Sequence, residues 1–391
     1  MKSLGKRCIS PERDDANLTN NCEVEELLAA VCVNRKFLYS AFYGFTSQDT
    51  IDFFVTVRHR IRRRKRGNRV FPVSDHASDV IAALSGRLKK NGVKVMLHAE
   101  VKELLTEALP GAQIACEGET GKGVPCGKGN RKQEVSPARR ITGVVLQDGK
   151  RIPADAVVVA TGGISYRTTG STGDGYRFAK AAGHQVTECS PSLVPMETAE
   201  DWAARLQGLS LRNVEVTILD GKKELYREFG EMMFTHYGVT GPLILTASSV
   251  VQKKLAAHPL TMRINLKPAL TEEQLDARIL REFEAAKNKQ FKNVIGALYP
   301  AKLIPIMIER SGIPEEKPVH DISKEERRAL VTLTREFSLT LTGLRDYNEA
   351  IVTRGGVSIR EVNPTTMESK KSSRIVFCRR GARSGCGDRR V

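Results

Sequence analysis

The sequence predicts an α/β fold in which a three-layer domain is interrupted by a β-rich insert with a helical lobe. A five-residue apolar run, Ala156–Ala160, is short and rich in valine, as is typical of a strand buried on both faces. Glycine-rich turns follow at Thr161–Gly163 and Gly170–Gly175, and the second leads into an amphipathic helix that stops at Gly183. Past Gly183 the pattern changes to stretches of alternating apolar and polar residues, which indicates the insert.

The stretch Ala154–Gly175 is the predicted ligand site. In open α/β sheets, nucleotides bind where the carboxyl end of a buried strand meets glycine turns. Backbone N–H groups of Gly162–Gly163 and Gly173–Gly175 are therefore candidate donors to hydroxyl or phosphate oxygens. Asp174 either accepts a hydrogen bond from a ligand hydroxyl or caps the helix that begins near Tyr176. An ordinary strand and tight turn fits the glycines alone equally well.

The residues before this site predict a small set of helices and strands after the polar loop Asn17-Leu-Thr-Asn-Asn. Helices are expected over Glu23–Cys32, Ser47–Phe54 and Asp75–Asn91, and strands over Arg69–Asp75, Lys94–Leu97 and Glu100–Leu105. The asparagine-rich loop is equally compatible with a simple helix entry.

A glycine- and lysine-rich segment, Gly118–Gln133, shows no apolar periodicity and predicts a hairpin insert. A phosphate-binding loop is the alternative, but the segment lacks the Gly-Lys-Ser/Thr ending of such loops. Ile141–Leu146 and Arg151–Ile152 flank Gly149 and predict the hairpin that leads into the central strand.

The insert is expected to begin at Ser190–Pro195. Around Asp220-Gly221 two alternating stretches predict a hairpin, and β structure is expected to continue through Gly230–Val251. A further strand is expected over Leu260–Leu266, and helices over Thr271–Lys287, Pro300–Arg310 and Lys324–Arg335. From Asn348 the chain is expected to return to the first domain.

The formal net charge of +17 is concentrated in two segments. Arg58–Arg66 holds seven lysines and arginines and no acid, and Arg374–Val391 holds six arginines and one aspartate. Neither segment has the interleaved aromatic residues of a single-strand nucleic-acid binder. A basic nucleic-acid-binding protein therefore stays an alternative that depends on these two patches, and the preferred prediction has no nucleic-acid partner.

Composition limits the remaining classes. No apolar run approaches the ~18 residues that span a membrane, and the amino terminus has no apolar core of a secretory signal. The eight cysteines show no CxxC pair and no metal-ligand spacing, which favours reduced thiols in a cytoplasmic protein. No Ser/His/Asp order or metal-ligand cluster indicates a hydrolase or a metalloenzyme.

Four blocks in order and spacing carry a family resemblance. They are RVFPVSDHASDV from Arg69, VVVATGGISYRTTGSTGDGY from Val157, GEMMFTHYGVTGP from Gly230 and NEAIVTRGGVSIREVNPTTMESK from Asn348. Together they resemble the BaiN-like NAD(P)/FAD-dependent oxidoreductases, often labelled aminoacetone-oxidase-like, over most of Asn17–Lys370. The resemblance implies a Rossmann-like FAD-binding domain over residues 1–190 and 345–391, with a barrel-like and helical insert over 191–344.

The resemblance also implies a cytoplasmic flavoprotein that transfers hydride from NAD(P)H through bound FAD to a small organic substrate, without a metal or a membrane partner. The FAD contacts it implies are Asn17, Thr19, Val101, Ala160, Thr161, Gly162, Gly163, Gly173, Asp174, Gly175 and Gly356. The backbone of Val101 would meet the adenine ring. His236 is the candidate proton donor near the flavin, and a hydrogen-bonded structural histidine is the alternative.

Both ends of the chain depart from the family pattern. Residues 1–16 hold no Gly-x-Gly-x-x-Gly turn, so one βαβ unit of ~30 residues is expected to be missing upstream. Some of the codons that could encode Ile375–Arg390, when translated from the second base, spell a sequence similar to the family's carboxy-terminal flavin motif. Codons for Cys8–Ala16 and for Val57–Lys65 can likewise spell family-like sequences in another reading frame. A divergent basic tail is the alternative to frameshifts.

On the frameshift hypothesis the tail cannot form the family's closing strand and turn, and the chain as written does not retain FAD on purification. The alternative function is then an inactive, cofactor-free fragment of such a flavoprotein.

Replacing Arg62, Arg63 and Arg64 by glutamate should leave the thermal unfolding midpoint unchanged or raised, because out-of-frame arginines have no evolved acidic partners and repel one another. Differential scanning calorimetry measures the midpoint. Salt-dependent duplex binding by the original chain that this variant loses would instead support the nucleic-acid alternative.

Overall fold

The structure is a computed structural model that describes residues 17–31, 34–56, 61–63, 68–109 and 139–378. The described residues divide into two compact units: the first comprises those up to residue 190 together with 354–378, and the second comprises residues 191–353. The predictions for residues 1–16, for Gly118–Gln133 and for residues 379–391 lie outside the described residues. Of the basic run Arg58–Arg66, only the backbone of Ile61–Arg63 is described. Among the described residues, no helix has the length and apolarity needed to cross a membrane.

The strands and helices are numbered along the chain. The strands are β1 (Thr19–Asn20), β2 (Ile61–Arg63), β3 (Arg69–Pro72), β4 (Val101–Ala108), β5 (Arg139–Leu146), β6 (Arg151–Pro153), β7 (Val157–Val159), β8 (Val186–Ser192), β9 (Met196–Thr198), β10 (Ser210–Asp220), β11 (Lys223–Phe234), β12 (Gly238–Thr240), β13 (Leu260–Asn265), β14 (Phe337–Leu344), β15 (Val352–Val357), β16 (Ser372–Ser373) and β17 (Ile375–Phe377). The helices are α1 (Val24–Ala30), α2 (Tyr39–Gly44), α3 (Ser47–Thr56), α4 (Ala77–Lys90), α5 (Asp174–Ala181), α6 (Trp202–Arg205), α7 (Pro242–Leu255), α8 (Glu272–Ala285), α9 (Phe291–Val294), α10 (Ile304–Ser311) and α11 (Lys324–Arg335).

Strand β7 forms within the predicted run Ala156–Ala160 and pairs in parallel with β17, but it is not buried on both faces, because Val158 is 61% exposed. Val157 lies opposite Ile375, and Val159 lies opposite Phe377. Of the tail Ile375–Arg390, which is predicted not to form the family's closing strand and turn, residues 375–377 do form a strand, and residues 379–390 lie outside the described residues. These three residues are apolar, and Ile375 and Phe377 are buried in the core of the first unit beside Val159.

The first unit is mixed α/β, but its described residues form several small sheets. The hairpin predicted around Gly149 is confirmed by β5 and β6, and β4, β5 and β6 make an antiparallel meander to which β16 adds in parallel. β1, β3 and β2 form a second antiparallel sheet, and β8 pairs with β15. No continuous sheet joins these groups among the described residues.

The strand predicted over Lys94–Leu97 does not form, although the neighbouring prediction over Glu100–Leu105 is confirmed by β4. Val95, Met96 and Leu97 are 42–48% exposed, and no described strand pairs with them. A strand depends on a hydrogen-bonded neighbour as well as on its own residues. Apolar residues alone therefore did not make this segment a strand.

The second unit contains a closed antiparallel barrel in the order β10-β11-β12-β9-β14-β13. Val214, Val216 and Ile218 alternate along β10 and are buried in the core, which explains why the sequence alternates there. The hairpin predicted at Asp220-Gly221 is confirmed, since Asp220 pairs with Lys223 across the turn.

Helix α7 overturns the predicted continuation of β structure over Leu243–Val251. Pro242 stands at the start of this helix, where its fixed φ suits the helix and its missing N–H is not needed. Leu243, Ile244 and Val251 are all buried in the core of the second unit. A run that is buried on nearly every face has no period that distinguishes a helix from a strand.

The helical lobe follows the predicted boundaries closely because its helices carry explicit start signals. The Thr271 hydroxyl accepts from the Gln274 N–H while the Gln274 side chain accepts from the Thr271 N–H, which forms a capping box at α8. Ser323 and Glu326 do the same at α11.

Phe234→Ala should lower the free energy of unfolding of the second unit by about 3–5 kcal/mol, because this fully buried ring leaves a cavity in the barrel core. Phe229→Ala on the same strand is the matched control; Phe229 is 58% exposed, and a change within about 0.5 kcal/mol is expected. Trp202, the single tryptophan, packs edge-on against Phe337, so its fluorescence in denaturant reports on this unit. Equal losses in both variants would contradict the assigned core.

Candidate functional site

The turns after β7 depend on glycines with left-handed backbone. Gly162 and Gly173 have φ values of 76° and 90°, which residues with a Cβ rarely adopt. A Cβ on Gly173 would lie 2.8 Å from Ile164 Cγ2, and one on Gly175 would lie 2.5 Å from Thr161 Oγ1. The glycines therefore allow the turn after β7 and the start of α5 to pack directly together.

A pocket lies where the end of β7 meets the start of α5 and the chain from β15 to β17. Its cavity volume is about 60 Å³, which is room for roughly four to six water molecules. None of its lining residues is charged; they are Phe37, Leu38, Val159, Thr161, Gly162, Gly175, Tyr176, Val357, Ile359, Val362, Met367, Phe377 and Cys378. A small apolar pocket of this kind suits part of an uncharged ring system better than a phosphate group.

The structure brings most of the predicted contact residues to this pocket or next to it. Thr161, Gly162 and Gly175 line it directly. The neighbours of the lining residues include Ala160, Gly163, Asp174 and Gly356, and Gly173 lies two positions before Gly175. Three of the predicted contact residues therefore line the pocket, and the rest of this group lie within two positions of a lining residue along the chain.

Asp174 does not cap helix α5, since Gly173 is the N-cap and Asp174 is the first helical residue. Its carboxylate accepts a hydrogen bond from the Thr172 hydroxyl and pairs with Arg177 at 2.8 Å. The Thr172 hydrogen bond, followed by Arg177, lowers the pKa of the Asp174 carboxyl. Asp174 is therefore a charged, internally paired group in this conformation.

Arg177 also occupies the backbone position predicted to meet adenine. Its guanidinium donates to the carbonyl of Val101 at 3.2 Å and to the carbonyl of Lys102. Asn17 and Thr19 do not line the pocket; Thr19 pairs with Val70 in the β1–β3 ladder. The flavin contacts implied for Asn17 and Thr19 and the adenine contact implied for Val101 are thus not among the residues that line the pocket.

His236 lies in the second unit between β11 and β12, where it is exposed. Its ring meets Tyr237 edge-on at 4.7 Å. Tyr237 donates to Glu349 at 2.7 Å, and Arg345 covers its ring. Burial, followed by the Glu349 hydrogen bond, raises the pKa of Tyr237 to about 12, so this phenol is protonated at neutral pH. The role predicted for His236 stays a prediction.

Sequence reasoning missed the wall that the chain from Val357 to Cys378 contributes. Ile359, Val362 and Met367 look like ordinary core residues in the sequence, and only the β7–β17 pairing places them at the pocket. The available signal was the motif block from Asn348, which spans all three. Among the described residues, no group of His, Cys, Asp and Glu is arranged to hold a metal ion.

Comparison with known proteins finds one matching family model and several similar enzymes. Residues 190–352 match the HI0933-like protein barrel and H2TH domain. A 3-dehydro-bile acid delta(4,6)-reductase of Clostridium scindens is 25% identical over 94% of this chain and 81% of its own length. A ribosomal RNA dihydrouridine synthase of Haemophilus influenzae is 25% identical over 96% of this chain and 83% of its own length, and the enzyme of that name from Escherichia coli is 28% identical over 64% and 62%.

These matches confirm the resemblance that the four motif blocks indicate. The chain is similar to HI0933-like and BaiN-like proteins, and the segment that matches the HI0933-like model contains the closed barrel of the second unit. The similarity supports a flavin-dependent oxidoreductase in general.

Gly162→Val and Gly173→Val should each abolish FAD binding in the frame-restored protein, because a branched side chain disfavours the left-handed backbone and fills the cradle. Quenching of flavin fluorescence on titration measures the binding. Gly92→Val is the matched control, since Gly92 also has positive φ, 69°, but a Cβ there meets nothing within 4 Å. Unchanged binding in both pocket variants would contradict this site.

Proposed function

We propose that this protein is a cytoplasmic FAD-dependent oxidoreductase that takes hydride from NAD(P)H and passes it to a small organic substrate. The observation that carries the proposal is the uncharged pocket at the carboxyl end of β7, which is bordered by glycine turns. The chain also contains the four motif blocks that resemble the flavoprotein family. Part of the proposal is that the first unit follows the three-layer dinucleotide-binding arrangement in the intact family protein.

The substrate class that we propose is a carbon–carbon double bond conjugated to a carbonyl group. One relative is named as a reductase of delta(4,6) bonds in a 3-dehydro-bile acid, and another is named for making dihydrouridine. Both names describe saturation of a double bond near a carbonyl. Hydride addition to such a bond is favourable because the carbonyl oxygen takes up the negative charge that develops.

Bound FAD supplies the two-electron hydride relay. The residues that line the pocket would hold that group: the turn at Thr161–Gly162 would supply backbone N–H groups, and the apolar wall of Phe37, Met367 and Phe377 would keep water away from the ring. Phosphate binding needs other groups, because no cation lines the pocket and Arg177 is already paired with Asp174.

The second unit gives no electrostatic support to a nucleic-acid partner. Residues 191–353 hold 22 lysines and arginines and 22 aspartates and glutamates. A balanced charge lacks the counterion-release contribution that dominates nucleic-acid affinity. We therefore propose a small-molecule acceptor rather than RNA.

The test is to add FAD to the purified chain, record visible absorbance, and follow oxidation of NADH and NADPH with cyclohexenone as acceptor. Turnover that depends on FAD and on the enone is expected from the frame-restored protein, and the Gly162→Val variant provides the inactive control. A saturated acceptor, cyclohexanone, should give no turnover. Flavin binding without enone turnover would overturn the proposed reaction, and no flavin binding in either protein would favour the cofactor-free alternative.

A further inference from the structure

A buried polar cluster stands behind the pocket in the first unit. His184 follows helix α5, and its side chain is fully buried. Its Nε2 lies 2.6 Å from the Ser369 hydroxyl, and its Nδ1 lies 3.4 Å from a carboxylate oxygen of Glu361. The imidazole also packs edge-on against Phe377, which lines the pocket, with ring centroids 4.9 Å apart.

The hydrogen bonds of Ser369 determine where its proton points. Its oxygen accepts from the backbone N–H of Lys371 at 3.0 Å and from that of Ser372 at 2.9 Å. A hydroxyl has two lone pairs and one proton, so these two bonds use its whole accepting capacity. The proton of Ser369 must therefore be donated to His184 Nε2, which leaves Nδ1 as the protonated nitrogen of a neutral ring.

We infer that His184 is a positioning residue: as a neutral imidazole protonated at Nδ1, it holds Ser369 and the adjoining chain in place as the wall of the pocket. Nδ1 lies 3.4 Å from a carboxylate oxygen of Glu361 without forming a hydrogen bond to it, so the tautomer is assigned from the hydrogen bonds of Ser369 alone. Glu361 is itself fixed by the backbone N–H of Gln185 at 2.8 Å. The cluster thus joins the end of α5 to both ends of the segment that carries Val362 and Met367.

The same three residue types form the nucleophile, base and orienting acid of some hydrolases, but this cluster does not suit that chemistry. Ser369 is 7% exposed, and both lone pairs of its oxygen are engaged by backbone N–H groups. A nucleophile needs a free lone pair directed at a substrate. The geometry therefore favours a structural coupling over a second active site.

Protonation of His184 would break the cluster, because Nε2–H would then face an oxygen with no free lone pair. Burial, which outweighs the opposing effect of Glu361, lowers the pKa of His184 below 6.5; Lys371, which lies 3.6 Å from Glu361, acts in the same direction as burial. The unfolded chain binds this proton at a higher pH than the folded chain does. The contribution of neutral His184 to the free energy of unfolding is therefore complete above the ordinary histidine pKa and decreases as the pH falls below it.

The first experiment needs no variant. In protein labelled with ¹⁵N-histidine, the His184 ring should show a protonated Nδ1 and an unprotonated Nε2 at about pH 7.5. Loss of the signal in His184→Gln assigns it. An Nε2–H tautomer or an imidazolium ion at neutral pH would overturn the inference.

The second experiment measures amide hydrogen exchange at Lys371 and Ser372. His184→Phe keeps an aromatic ring but removes the acceptor, so both amides should exchange about ten-fold faster, the equivalent of one lost hydrogen bond. His184→Gln retains an acceptor oxygen and should restore most of the protection, and His258→Phe, at an exposed site, should change nothing. Unchanged exchange in His184→Phe would refute the positioning role.

The inference concerns the wall of the pocket to which the proposed function assigns FAD. Both readouts are independent of flavin. If both readouts are as expected and FAD does not bind, the proposed function is wrong and the positioning role of His184 is supported. If FAD binds and the ring carries its proton on Nε2, the positioning role is wrong and the proposed function is supported.

Discussion

The parallel pairing of β7 with β17 is the constraint on which the first unit depends. It joins residues more than two hundred positions apart, with Val157 opposite Ile375 and the Cys378 N–H donating to the Val159 carbonyl at 3.0 Å. Without this pairing the apolar side chains of Val159 and Phe377 would have no shared core. The pocket exists because one wall comes from the glycine turns after β7 and the other from the chain that leads into β17.

The second unit is inserted between β8 and β15, two strands that pair with each other and so hold the two ends of the inserted segment together. Thr187 exchanges two hydrogen bonds with the backbone of Gly356. Gly355 allows this close approach, since a Cβ there would lie 2.1 Å from the Glu188 carbonyl oxygen. Adjacent exit and entry points let a complete barrel be inserted without disturbing the fold around it.

The pocket and its surroundings differ in charge. The lining carries no charge, while the ionisable groups nearby are paired with each other: Asp174 with Arg177, and Glu361 with Lys371. A neutral ring can therefore enter without leaving a buried charge unpaired, whereas an anionic group would need cations that this pocket does not offer. His184 belongs to this arrangement, since its burial favours the neutral form that the Ser369 hydrogen bond requires.

The sequence by itself determined the features that local chemistry encodes. The valine run predicted β7, the glycine turns predicted the turn beside α5, and helices were predicted over Thr271–Lys287 and Lys324–Arg335, where the structure shows capping boxes at the helix starts. The motif blocks predicted the family before any contact was known. Each of these signals lies within a few neighbouring residues, so propensity, turn geometry or capping expresses it directly.

Only the tertiary structure decided the fate of short apolar runs. Leu243–Val251 became part of a helix because the core of the second unit surrounds it, Lys94–Leu97 stayed irregular because no described strand pairs with it, and Ile375–Phe377 became a strand because β7 offers an edge. The wall from Val357 to Cys378 and the His184 cluster arise in the same way. A short apolar segment has no period of its own, so the neighbour that it meets in space, rather than its residues, selects its conformation.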